Sequence, residues 1–249
     1  MKKLTWEGNL ACLLISTSII LYAIKFLFFG DNGESNTLSY IFNSLGFLPI
    51  NILIVTLIIN RLLTMRAKRE QQEKNRMVIG LFFSEMGTSL LRRLVSCDPS
   101  AETLRETMLV KNTWTKEDYA AAKKQASSVC TKTVPTLEDL TEINELFIRN
   151  HNFLLRLIEN PVLLEHNTVS KLLQDLFHLG EELAGRNDLY SLPASDIAHL
   201  TGDVNRIYCQ LTILWLDHMA YLSRNYPYLF SLSIRKNPFM MEDKIVVTE

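Results

Sequence analysis

The stretch from Phe47 to Val95 limits what this chain can fold into more than any other. It runs FLPINILIVTLIINRLL, then TMRAKREQQEKNR, then MVIGLFFSEMGTSLLRRLV. An apolar segment long enough to cross a bilayer is followed by a basic polar rod and then by an apolar-faced segment too short to span. No strong breaker separates the three, so one continuous helix is expected to link membrane to bundle. Asn9 to Phe29 is a second apolar run, interrupted only by Lys25, which can snorkel to the headgroups. Its length and the lack of a small-x-small site after it favour an uncleaved anchor over a signal peptide.

Charge sets the orientation. The formal net charge of -1 for 249 residues hides a split: residues 1–60 net zero, residues 61–95 carry +5 and the remainder -6. Arg61, Arg66, Lys68, Arg69, Lys74 and Arg76 form a basic collar beside the second span, with Lys2 and Lys3 on the same side. Both termini are therefore expected in the cytoplasm, with a short external hairpin, DNGESN, between the spans. The collar suits anionic headgroups, whereas an acidic body beyond it argues against nucleic acid. Cys12, Cys97, Cys130 and Cys209 have no metal-like spacing and are expected as reduced thiols.

Beyond the collar every signal is helical. Ile79, Phe82, Phe83, Met86, Leu90 and Leu94 make an apolar stripe. Gly80 and Gly87 leave room for a neighbouring helix, and Glu85 is expected to pair with an arginine such as Arg92 or Arg206 inside the bundle. Asp98-Pro99 reads as a helix start with Asp98 as its cap. Thr115-x-x-Asp118 and Thr136-x-x-Asp139 read as capping boxes. Helices are predicted over 137–159, from Asn167 to about Ala184, and over about 194–224. The aromatic tail 226–239 is expected to pack back on the bundle, and no strand is expected. The fold class is all-α, with two N-terminal transmembrane helices, the second continuing into a cytoplasmic helical bundle. The expected divisions are a membrane hairpin over 1–63 (spans about 9–29 and 45–63), a basic helical stalk over 64–76 of roughly 24 Å at 1.5 Å per residue, the bundle over 77–240 and a frayed tail over 241–249.

Three blocks of this chain resemble a group of uncharacterised prokaryotic two-span membrane proteins with a C-terminal cytoplasmic helical domain. They are FLPINILIVTLIINRLL with MVIGLFFSEMGT, ENPVLLEH with LLQDLFHLGEEL, and YPYLFSLSIRKNPF. The resemblance implies the two-span topology and supplies no catalytic residue or ligand.

No phosphate loop, GxSxG, HExxH or kinase signature is present, and no cofactor is expected. The remaining chemistry lies in histidines and carboxylates at helical spacing. His178 and Glu182 are four apart, as are His199 and Asp203, and Asp196 precedes His199 by three. Such pairs point into one groove, as the ligands of metal-binding bundles do. The leading reading is a membrane-anchored cytoplasmic interaction module, a scaffold or signalling accessory with a homo-oligomer or protein partner and no catalytic residue. The alternative is a tethered metal-binding bundle or metalloenzyme using His178, Glu182, His199 and Asp203. A transport subunit would rest on Lys25, Asn51 and Asn60. Convergence of His178 and His199 discriminates the metal reading from the first.

Overall fold

The computed structural model describes residues 6–29, 37–129, 133–164 and 167–240. Expectations that fall on Lys2, Lys3, the loop 31–36, Cys130 and the tail 241–249 lie outside them. The described residues are all-α, with no strand. The chain divides into two compact units, Met1–Glu70 and Gln71–Glu249.

The first unit holds α1 (Trp6–Phe29) and most of α2 (Thr37–Phe82). Both are long and apolar enough to cross a membrane. Leu13, Ile19, Phe26, Ile58 and Leu62 are all more than half exposed. Two polar contacts tie the helices together: Ser18 Oγ donates to the Gly46 carbonyl at 2.6 Å and Lys25 Nζ to Asn43 Oδ1 at 2.7 Å. Lys25 thus finds a side-chain acceptor on α2. Pro49 lies inside α2, which begins at Thr37. A proline there lacks the N–H for the carbonyl four residues back and strains the adjoining turn. Ser18 donates to a carbonyl of that same turn.

The second unit is the bundle. After α2 come a π turn (Phe83–Gly87), α3 (Thr88–Ser96), α4 (Ala101–Met108) and α5 (Lys116–Val129). Then follow α6 (Leu137–Ile158), the short α7 (Pro161–Leu164), α8 (Asn167–Ala184), α9 (Ala194–Asn225) and α10 (Pro227–Arg235). Local chemistry explains the boundaries. Thr136 and Asp139 form the reciprocal capping box that opens α6, and Asp118 bonds back to Thr115 in the same way before α5. Asp98 does not cap α4. The helix starts at Ala101, and Asp98 is buried, accepting from Ser100 N and from Tyr208 Oη at 3.2 Å. Its carboxylate is spent on a buried tyrosine, which a surface cap would not need.

α9 is the central helix. Leu200, Ile207, Tyr208, Leu214, Trp215 and Leu216 are buried over more than half of its circumference, which a helix tolerates only when others surround it. Gly80 behaves as expected: a Cβ there would sit 3.3 Å from His218 Cε1 on α9. Gly87 does not. Its Cβ would strike Phe82 and Phe83 of its own chain segment, because the π turn folds those rings over it. Glu85 is exposed on that turn and makes neither expected pair, since Arg206 faces Asp203 and Asp175. Of the collar, Arg61, Arg66, Lys68, Arg69 and Lys74 are exposed. Arg76 belongs to the bundle: its guanidinium donates to the Asp217 carbonyl at 3.2 Å and lies 5.2 Å above the Tyr221 ring.

The tail packs back, as a helix. Phe239 is fully buried, and Asn237 holds it there: Nδ2 donates to the Met108 carbonyl and Oδ1 accepts from Phe239 N, both at 2.9 Å. Asn237→Ala leaves two buried backbone groups unpaired, and is expected to cost about 2 kcal/mol in a denaturant titration.

Candidate functional site

The site follows from two amphipathic helices and one turn. α8 buries Val169, Leu172, Leu173, Leu176, Leu179 and Leu183. α9 buries Leu200, Val204, Ile207 and Leu211 along the facing stretch. Gly185 to Pro193, with a 3₁₀ turn at Leu189–Ser191, reverses the chain between them. The helices run antiparallel, so contacts step down one as they step up the other: Arg186 meets Asp196, Glu182 meets His199, His178 meets Asp203, and Asp175 meets Arg206 and Gln210.

In this register the two i, i+4 pairs meet, and three of their donors form one cluster. The donor atoms of His178, Glu182 and His199 lie within 4.8 Å of one another. Asp203 Oδ2 borders it beside the imidazoles, 3.4 Å from His178 Nε2 and 3.9 Å from His199 Nε2, while Glu182 Oε2 lies 3.8 Å from His199 Nε2. Ligands about 2.0–2.1 Å from a tetrahedral zinc-class ion are about 3.3–3.4 Å apart, so modest side-chain adjustment closes the cluster on such an ion. Of the four sequence-predicted residues, His178, Glu182 and His199 form the cluster and Asp203 borders it.

The accessibility of the four differs in a way that matters. The imidazoles are about half exposed (47% and 52%), whereas Asp203 is only 3% exposed. Asp203 Oδ1 accepts from Arg206 Nη2 at 2.8 Å, but Oδ2 is buried without a hydrogen-bond partner among the described residues and faces the two imidazoles. An unpaired buried carboxylate oxygen is costly. A cation or a protonated imidazole at this point removes that cost.

Arginines orient both carboxylates, as outer-shell partners orient ligands in metal sites. Arg186 grips Asp196 with two parallel bonds of 2.6 and 2.7 Å and reaches Glu182 Oε2 at 2.8 Å. Hydrogen bonding to Asp196 pushes the Arg186 pKa up, and the same guanidinium holds Glu182 and Asp196 below the usual carboxylate range. Arg206 also faces Asp175, whose other oxygen accepts from Gln210 at 2.6 Å. Sequence reasoning missed these two arginines as parts of the site. The spacings Glu182/Arg186 and Asp203/Arg206, at i, i+4 and i, i+3, are the signals that point to them. Asp175, Glu182, Asp196 and Asp203 against Arg186 and Arg206 leave a local excess of two negative charges with neutral imidazoles, which a divalent ion balances.

Bundle and site together define an all-α protein in which a short apolar helical unit precedes a larger helical domain with convergent histidines and carboxylates. The chain belongs to the family of the uncharacterized protein MJ1433. That family's N-terminal helical domain matches residues 2–63 and its C-terminal helical domain residues 71–235. The chain is 40% identical over 241 residues to uncharacterized protein MJ1433 of Methanocaldococcus jannaschii, covering 96% of this chain and 95% of that protein. No solved structure matches it. The resemblance read from the sequence is met at the level of an uncharacterised helical family.

Proposed function

We propose that this chain is a membrane-anchored helical bundle that binds a divalent transition-metal ion of the zinc class through His178, Glu182, His199 and Asp203. The carrying observation is the buried, unpartnered Asp203 Oδ2 aimed at two imidazoles. The donor set of nitrogen and oxygen favours zinc-class ions over magnesium and calcium, which prefer oxygen alone. The ion ties α8 to α9 at the solvent-facing side of the hairpin. Anchoring rests on α1 and the first part of α2, whose exposed apolar side chains are suited to lipid and unsuited to water. The positive-inside bias places both termini in the cytoplasm, with Arg61, Arg66, Lys68 and Arg69 at anionic headgroups.

One preparation tests both parts. Membranes carrying the full chain are washed at alkaline pH, and the retained protein is solubilised, stripped of metal and titrated with Co²⁺. Retention through the wash is expected, followed by the intense visible absorption of tetrahedral cobalt at one ion per chain. His178→Ala/His199→Ala is expected to abolish that absorption. Release in the wash would sink the anchor. Weak octahedral spectra, or an unchanged titration in the double variant, would sink the metal site.

The second reading is the interaction module, in which the same bundle serves as a docking domain. The observation that favours it is the absence of any catalytic constellation beyond the quartet among the described residues. It stands if cobalt does not bind and crosslinking in membranes recovers a stoichiometric partner or a second copy.

A further inference from the structure

A second built feature lies among α2, α3, α9 and α10. An apolar chamber of about 460 Å³ is walled by Met77, Leu81, Leu222, Leu229 and Leu232. A polar chamber of about 230 Å³ adjoins it, with Ser89 and Trp215 in its wall. Gly80, Ser84, His218, Leu232 and Ser233 line both chambers, so the two form one groove. The larger volume falls in the range of small-molecule sites.

Three observations indicate what the groove is built to take. The first is the wall the chambers share. Its hydrogen-bonding side chains are the hydroxyls of Ser84 and Ser233 and the ring of His218. His218 is 6% exposed, and its Nδ1 has no hydrogen-bond partner among the described residues. Burial, with Arg76 nearby, drives its pKa down to about 4, so all three groups are neutral near pH 7. The second is that the arginines of the groove are engaged within the protein. Arg76 donates to the Asp217 carbonyl and lies over the Tyr221 ring. Arg92 donates to the Lys236 carbonyl at 3.3 Å and has a further contact of its own. The Lys236 side chain is solvent-exposed. The third is the π turn at Phe83–Gly87. Thr88 bonds the Phe83 carbonyl through both its backbone N–H and its hydroxyl, the latter at 2.8 Å. This local widening stacks Phe83 on the His218 ring, 5.2 Å away and 17° from parallel, and so fixes the ring in the shared wall. Such insertions recur at functional sites.

We propose that this groove binds a neutral single-chain amphiphile, a long-chain alcohol, with its chain among Leu81, Leu229 and Leu232 and its hydroxyl at His218, Ser84 and Ser233. A hydroxyl donates and accepts at once, so it pairs with a neutral imidazole in either tautomer and with a serine beside it. A charged head would give up its hydration to meet neutral groups in a buried wall, which is costly. A plain hydrocarbon would leave those groups unpaired. The quartet of His178, Glu182, His199 and Asp203 shares no residue with the groove. Cobalt binding by the same preparation therefore separates failure of this inference from failure of the metal reading.

The test uses the full chain in amphipol, with Trp6→Phe and Trp114→Phe, so that Trp215 in the polar chamber wall is the sole tryptophan. The probe is dodecanol brominated next to its hydroxyl-bearing carbon, which quenches a nearby indole. Saturable quenching is expected, reversed by dodecanol and only about tenfold more weakly by dodecanoate or by dodecane. His218→Leu is expected to weaken the alcohol about tenfold while leaving dodecane unchanged, and Leu229→Asp to abolish quenching. Leu229 is solvent-exposed, and a single cooperative circular-dichroism melt confirms that each variant folds. Displacement by dodecanoate or dodecane as effective as by dodecanol overturns the proposal, as does indifference to both substitutions. Quenching seen only after removal of residues 241–249 also overturns it, since the tail of the chain would then be the groove's occupant.

Discussion

Zinc supplied at a thousand times its dissociation constant is expected to raise the unfolding free energy of the full chain by about 4 kcal/mol. The quartet is spread over two helices, so the unfolded chain cannot present it and the ion binds the folded state selectively. For a bundle of this size the rise corresponds to a shift of the melting temperature on the order of 10 °C. Tryptophan fluorescence reports it directly, because Trp114 and Trp215 both pack on the bundle core. His178→Ala/His199→Ala is expected to melt at one temperature with or without zinc. Arg206→Met keeps every ligand but frees Asp203 Oδ1, now held at 2.8 Å, and lets the carboxylate turn. It is expected to weaken zinc about 10- to 100-fold. An equal zinc-induced rise in the double-histidine variant would show that the ion binds elsewhere.

The quartet shows what a single sequence can and cannot carry. Each helix holds its own half: His178 with Glu182 and His199 with Asp203 are legible as pairs four apart on one face. That the halves meet is set by the register of α8 on α9, fixed by leucines and by the length of the turn 185–193, which no local spacing encodes. The same division runs through the fold. The α5 and α6 starts were legible because Thr115 with Asp118 and Thr136 with Asp139 satisfy each other within one turn. The start of α4 was not, because Asp98 is claimed by Tyr208, 110 residues away in sequence. The π turn has no residue signature. It depends on Thr88 reaching back to the Phe83 carbonyl while Phe83 stacks on α9. Pro49 inside α2 belongs with these long-range effects: a proline favours a helix end in isolation, but neighbouring helices can supply donors to the disturbed turn, as Ser18 does at Gly46.

Acid is expected to destabilise the metal-free bundle well above the pH at which its carboxylates protonate, and His218 is the reason. Its folded pKa is lowered from 6.5 to about 4, first by burial and then by the Arg76 charge. The unfolded chain therefore takes up a proton near pH 6.5 that the folded chain refuses until about pH 4. Stability is complete above pH 6.5, falls through that window and levels off below it. A shift of this size corresponds to about 3 kcal/mol across the window. Glu182 and Asp196, held below the ordinary carboxylate range by Arg186, add a loss that begins as pH falls through the ordinary carboxylate range, so it overlaps only the foot of the His218 window. His218→Leu removes both the titrating ring and its unpartnered Nδ1. Denaturant titrations of the two proteins from pH 7 to pH 4 are expected to diverge, the wild type losing about 3 kcal/mol more than the variant. Parallel curves would mean that His218 ionises in the folded bundle as readily as in water. The Phe83 ring stacked on one face and Gly80 pressed close to its edge leave little room for the water such a charge requires.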